Sequence, residues 1–145
     1  MDFSACALIA LQTAVRFARR YGSRITLLHV VDVNLCSYRM DTTRVEREIV
    51  AEAEKNLAEI IQTLPASVRF ATKIVKGCPF EQVLKTAREQ GIKVIIMGKR
   101  RTSFWNFLHL QTARRVMEKA ACDVIVVAEA NNRNKIGPLT RMVHA

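Results

Sequence analysis

Between residues 4 and 21, apolar side chains recur at Leu8, Leu11, Val15 and Ala18, the three-to-four spacing of a helix with one buried stripe. Arg16, Arg19 and Arg20 fall in its last turns, where cations suit the helix dipole, and Gly22 follows as a stop. The next run, "RITLLHVVD" at 24–32, is β-branched and almost continuously apolar, as expected of a strand covered on both faces of a parallel sheet. After the irregular "VNLCSYRMD", Thr43 and Glu46 stand at capping-box spacing and predict a helix to about Leu64, ahead of Pro65. "SVRFATKIVKG" places Val68, Phe70, Thr72 and Ile74 on one side of a strand that Gly77 ends. Pro79 then opens a helix with Phe80, Val83, Leu84 and Ala87 inward and Gly91 as its stop. "KVIIMG" predicts another buried strand, "QTARRVMEKAA" a helix and "DVIVVA" the last strand. The remainder, "EANNRNKIGPLTRMVHA" at 129–145, is polar and then weakly apolar, the composition of a flexible tail.

The order αβαβαβαβ calls for an α/β fold, an open parallel sheet with helices on both faces. It starts on a helix, although a doubly wound sheet normally opens on a strand. At 145 residues and 50% hydrophobic, the chain suits one domain with a real core. No apolar run approaches the roughly 20 residues of a membrane helix, and no signal peptide stands at the start, so a cytoplasmic location is expected. Cys6, Cys36, Cys78 and Cys122 are widely spaced with no CxxC, which argues against a zinc or dithiol site. The net charge of +10 would attract nucleic acid, nucleotides, acidic proteins or a membrane surface without choosing among them. Most of it is dispersed, as at Arg16, Arg19, Arg20, Arg24, Lys73 and Lys76; only Lys99, Arg100 and Arg101 form a run.

Several motifs in order resemble the universal stress protein family over residues 2–128: "DFS" before the first helix, "LLHVVD" in the first strand, "VKGCPFEQVLKTAREQGIKVIIMG", and "ARRVMEKAACDVIVVA". The resemblance implies a Rossmann-like five-stranded parallel sheet of order 3-2-1-4-5, commonly dimeric through the last strand, here residues 123–128. It also implies a short apolar strand just before the Asp-Phe-Ser element, at the sheet centre, which this chain lacks. Its removal leaves a gap of roughly 9 to 10 Å between its neighbours. The expectation is that about eight further residues precede Met1, a common strand length. Otherwise the neighbours close up, or "PLTRMVHA" or a partner chain fills the place.

In nucleotide-binding members of the family the phosphates lie over Gly, two residues, Gly, nine residues, then Gly and Ser or Thr. Glycines let the backbone approach the phosphates, while N–H groups and a helix N-terminus supply donors. The corresponding positions here are Gly98, Arg101, Gln111 and Thr112, so two glycines are replaced. An aromatic pair, Phe104 and Trp105, and Thr112-Ala113-Arg114 instead resemble the family's A-type subgroup, named after the founding bacterial stress protein, in which nucleotide binding is not expected. Asp2, Val31, Met97 and Gly98 match places that hold base and sugar in binders. Strand-end packing is the better reading of Val31 and Met97, and Asp2 can equally cap the first helix. In "SFWNFLHL", Phe104, Phe107, Leu108 and Leu110 have helical spacing suited to covering the sheet edge.

Lys99, Arg100, Arg101, Arg114 and Arg115 could together hold an anion, and Thr102 and Ser103 beside two arginines offer phosphorylation sites. His29, on a buried strand, reads as a hydrogen-bonded core residue; no residue set supplies a nucleophile with its base, or a metal site. The expected protein is therefore a non-enzymatic, dimeric stress-survival protein acting through protein contacts, with no cofactor and with ATP or AMP disfavoured. The rivals are a nucleotide- or anion-binding switch using the 98–112 loop, and a basic nucleic-acid-binding protein.

Overall fold

A computed structural model of the protein describes residues 1–32, 42–99, 107–128 and 141–143. Helix α1 (Ala5–Tyr21) begins where Ser4 Oγ accepts the Ala7 N–H and ends where Gly22 adopts a left-handed φ of 64° and donates its N–H to the Ala18 carbonyl. It leads into β1 (Arg24–Val31). Helix α2 (Thr42–Gln62) and strand β2 (Arg69–Lys76) follow, then α3 (Pro79–Glu89), with proline in its first turn, and β3 (Val94–Lys99). Helix α4 (Phe107–Lys119) starts four residues earlier than "QTARRVMEKAA" suggested, because the helical spacing of Phe107, Leu108 and Leu110 belongs to this same helix. Strand β4 is Asp123–Ala128, as expected from "DVIVVA".

Of the segment 129–145 expected to be a flexible tail, residues 141–143 are described. Residues 141–143 form a strand, β5 (Arg141–Val143), antiparallel to β4, with Val124 opposite Val143 and Val126 opposite Arg141. The outer edge of β4 offers unpaired backbone groups, and an extended segment satisfies them whatever its composition.

All other pairings are parallel. β1 and β2 run in register from Arg24 with Arg69 to Val31 with Lys76, and β3 and β4 from Val94 with Asp123 to Lys99 with Ala128. Hydrogen bonding leaves two blocks, β1–β2 and β3–β4–β5, with no strand between β1 and β3 among the described residues. The two neighbours do not close up into one ladder. Nor do residues 141–143 fill the place, since they lie on the far edge of β4.

Side chains alternate between two layers, as a sheet covered on both faces requires. On one face, Ile9, Ala10 and Phe17 of α1 cover Val94, Ile96, Ile125 and Val127. The same helix turns Leu11 and Val15 toward Ile25, Leu27, Phe70 and Ile74, where Leu57, Ile60 and Ile61 of α2 complete the cluster. On the other face, Phe80, Val83 and Leu84 of α3 and Val116 and Met117 of α4 meet Ile95, Met97, Val124 and Val126. Of the inward positions expected for α3, Phe80, Val83 and Leu84 join this cluster and Ala87 is half-buried; Thr86 is buried, with no hydrogen-bond partner at its hydroxyl among the described residues.

Leu57 is 1% exposed at the centre of the cluster that joins α1, α2 and both strands of the first block. Leu57→Ala should cost about 2–5 kcal/mol, the range for emptying a leucine site in a close-packed core. Urea denaturation checks this; a loss below about 1 kcal/mol would mean that the site collapses around the smaller residue.

Candidate functional site

In open parallel sheets, ligands bind beyond the carboxyl ends of the strands, where connections diverge to either side. That place here is bounded by the ends of β1 and β3 and by residues 1–4. Gly98 lies on β3, and a Cβ built there would stand 2.4 Å from the Cys6 carbonyl oxygen and 2.5 Å from its carbon. Both are backbone atoms of α1. The first turn of the helix is pressed onto β3, and only glycine admits it. The close approach at Gly98 is thus made by the backbone of the protein's own helix.

Asp2 Oδ1 accepts from the Ser4 N–H at 3.2 Å and from the Ser4 hydroxyl at 2.7 Å. Serine is therefore the cap, and Asp2 holds the serine in place, one step removed from the capping role expected of it. Phe3 carries a left-handed φ of 56°, uncommon for an aromatic residue, and its ring stacks on His29 at 5.2 Å with a 27° tilt. His29 Nδ1 meets the Met1 carbonyl. A carbonyl only accepts, so Nδ1 bears the hydrogen in this contact. Burial lowers the His29 pKa, and the neighbouring amino terminus adds to that, against the opposing influence of the Met1 hydrogen bond and Asp2. The Met1 amine donates to the Leu28 carbonyl, and burial takes its pKa from 8.0 to about 6, with Asp2 opposing.

This knot of Met1, Phe3 and His29 was not assigned from the sequence; the polar His29 within an apolar strand is its one visible sign.

The other expected positions are spread among different tasks. Val31 is 3% exposed, and Met97 faces the layer of α3 and α4 beside Val116 and Val124. Lys99 is exposed at the end of β3, and Thr112 is half-buried in α4. Arg100, Arg101, Thr102, Ser103, Phe104 and Trp105 lie outside the described residues. Arg114 pairs with Glu118 at 2.8 Å, which raises the arginine's pKa through that hydrogen bond, and the Arg115 guanidinium sits 4.7 Å above the Phe80 ring. Both arginines of the expected anion patch on α4 thus already have partners. Burial, with Asp123 adding to it, pushes the Cys122 thiol up and so away from a reactive thiolate. Among the described residues no cluster of histidine, cysteine and carboxylate could hold a metal, and no helix is long and apolar enough to cross a membrane.

The architecture defines an α/β domain of the doubly wound type, with its strand ends closed by its own amino terminus. The model of the universal stress protein family matches residues 1–128, and the chain belongs to that family. Universal stress protein MJ0577 of Methanocaldococcus jannaschii is 29% identical over 150 residues, covering 90% of this chain and 93% of the relative. A solved structure of hypothetical protein MJ0577 superposes with a TM-score of 0.78 at 28% identity, over 91% of this chain and 94% of that one. Universal stress protein UspA from Lactobacillus plantarum shares the fold, with a TM-score of 0.74 at 24% identity over 87% and 92% of the two chains.

Gly98→Ala should cost about 1–3 kcal/mol, because the added methyl has to displace the backbone of α1. Chemical denaturation measures it, and an unchanged midpoint would show that the helix does not rest on β3 at this point. Stability should also depend on pH. Both buried bases have folded pKa values below their unfolded ones, so the unfolded chain binds more protons and stability is lost on acidification. The amine's contribution is fully present above pH 8 and is lost between 8.0 and about 6; that of His29 declines below 6.5. The drop from 8.0 to about 6 at the amine corresponds to about 2–3 kcal/mol. Thermal melts from pH 5 to 9 should show Tm rising to about pH 8 and then levelling; a flat profile would mean that the amine is solvated.

Proposed function

We propose that this chain is a non-enzymatic universal stress protein of the A type, acting through protein contacts and self-association without ordinary ATP binding. The observation that carries the reading is the contact of Gly98 with Cys6: the one glycine retained from the phosphate motif is explained by helix packing. The residues matching base and sugar positions support it, since Asp2 holds the capping serine, Val31 is buried and Met97 lies in the α3–α4 cluster. Arg101 and Gln111 add side chains where binders keep glycine.

Self-association through residues 123–128 has a structural condition attached. Strand β5 occupies that edge of β4 over Val124, Ile125 and Val126, so a partner's β4 pairs there only after β5 leaves. The C-terminal strand would then act as a competitor for the dimer edge.

The rival that deserves a direct comparison is anion binding by Lys99 with Arg100 and Arg101, because Lys99 is exposed at the strand end. Isothermal calorimetry with millimolar ATP, followed by inorganic phosphate, should give no saturable heat for either. Saturable ATP binding that Arg101→Ala abolishes would replace the proposed reading with a nucleotide switch. Binding of phosphate and ATP with equal affinity would favour the anion site. The net charge of +10 keeps nucleic acid in view, and such binding would weaken steeply with added salt.

A further inference from the structure

Helices α3 and α4 pack beside each other on one face of the sheet, and an open groove of about 510 Å³ runs along α3 beside Lys119 of α4. Its apolar part is Phe80 and Leu84, which join the core cluster around Val116 yet stay only half-buried. Glu81, Lys85, Arg88 and Glu89 supply the rest of the α3 side. Residues 80, 84 and 88 form one row along a helix and 81, 85 and 89 the next, so the strip is about 12–14 Å long.

The charges of the groove do not balance. Glu89 meets Lys73 at 3.0 Å and Lys85 at 3.9 Å, so that carboxylate is already served. Glu81 stands in the first turn of α3, where the helix dipole favours an anion. On the positive side, Arg115 of α4 joins Arg88 and Lys119. Its guanidinium lies 4.7 Å from the Phe80 ring centroid, and the Lys119 ammonium lies 6.0 Å from the same centroid. Among the described residues Arg88, Arg115 and Lys119 pair with no carboxylate. An aromatic face holds a cation less strongly than a carboxylate does, and two cations at one ring repel each other. Exposed apolar surface ringed by such cations complements an anionic ligand that has an apolar part.

The class of ligand follows from the same residues. Regularly spaced phosphates would meet Glu81 and Glu89 as well as the cations, and Arg115 and Lys119 already sit at the Phe80 ring where a base would stack. A peptide can set its carboxylates on either side of an apolar side chain, and arginine binds a carboxylate through paired hydrogen bonds. We propose that the groove between α3 and α4 docks an acidic segment of a partner protein, about four extended residues long, in which aspartate or glutamate flanks a large apolar side chain. The apolar side chain lies on Phe80 and Leu84, and the carboxylates meet Arg88 and Lys119. This rests on the reading that the chain acts through protein contacts, and it supplies the chemistry of one such partner.

The probe is a fluorescein-labelled peptide with blocked ends, Glu-Asp-Leu-Phe-Asp-Glu, titrated with the full chain by fluorescence anisotropy at about 0.15 M salt. It should bind at least about tenfold tighter than Gln-Asn-Leu-Phe-Asn-Gln and than Glu-Asp-Ser-Ser-Asp-Glu. Arg88→Gln combined with Lys119→Gln should weaken it at least about tenfold. Arg19→Gln combined with Arg20→Gln removes the same charge from α1, on the opposite face, and should change affinity less than about twofold because salt screens distant charges. No saturable binding up to about 1 mM chain, equal binding of the three peptides, or equal weakening by the two double variants would overturn the proposal. So would tighter binding of labelled hexathymidylate, which would give the groove to nucleic acid. Saturable ATP binding in calorimetry bears on the 98–112 loop alone, so failure of the A-type reading and failure of the groove are told apart.

Discussion

The fold depends on α1 serving two clusters at once. Among the described residues no hydrogen-bond ladder ties β1–β2 to β3–β4, so the blocks are held by what spans them. Along one helix, Leu11 and Val15 belong to the cluster around Leu27 and Leu57, while Ile9, Ala10 and Phe17 belong to the cluster around Ile125 and Val127. Each fully buried large apolar side chain contributes roughly 1.5–3 kcal/mol, so a handful of contacts on either side outweighs the loss of any single pairing. The helix has to lie very close to the sheet to reach both clusters. Cys6 against Gly98 shows that closeness.

Seen from this constraint, the chemistry of the strand ends follows from packing. A phosphate-binding glycine works because its missing side chain leaves room for a ligand. At Gly98 the place a side chain would need is taken by the backbone of Cys6. The residues before the helix close the rest of the corner: Ser4 caps α1, Asp2 holds Ser4, and Phe3 lies over His29. Burying an amine and an imidazole there disfavours their charged forms, a cost the neighbouring apolar contacts must offset.

Much of this was legible in the sequence because the elements are strongly periodic and well punctuated. Gly22, Pro79 and the run "DVIVVA" mark boundaries that local physics enforces, and the structure places its elements there. The start of α4 was misplaced, because Phe107, Leu108 and Leu110 follow a stretch without a clear cap and their spacing fits either a covering ridge or the helix itself. Strand β5 was missed for a different reason. Three residues of pairing are dictated by the open edge of β4, and nothing in "RMV" announces a partner so distant in sequence. The contact of Gly98 with the backbone of Cys6 could not be read from the sequence. A glycine needed for a ligand and one needed for a helix look identical until the helix is in place.

The charge is the remaining part, and the surface pairings limit what it can mean. Glu46, Glu48, Glu59, Glu89 and Glu118 each meet a lysine or arginine, at Lys76, Arg44, Lys55, Lys73 with Lys85, and Arg114. Exposed pairs of this kind add little to stability individually, generally below about 1 kcal/mol. Their importance is arithmetic: with 23 lysines and arginines against 13 carboxylates, pairing uses acids faster than it uses bases. A surplus of positive charge therefore remains unbalanced by acids. Arg115, for example, lies over the Phe80 ring. A diffuse field of this sign speeds encounter with acidic partners and leaves the choice of partner to shape.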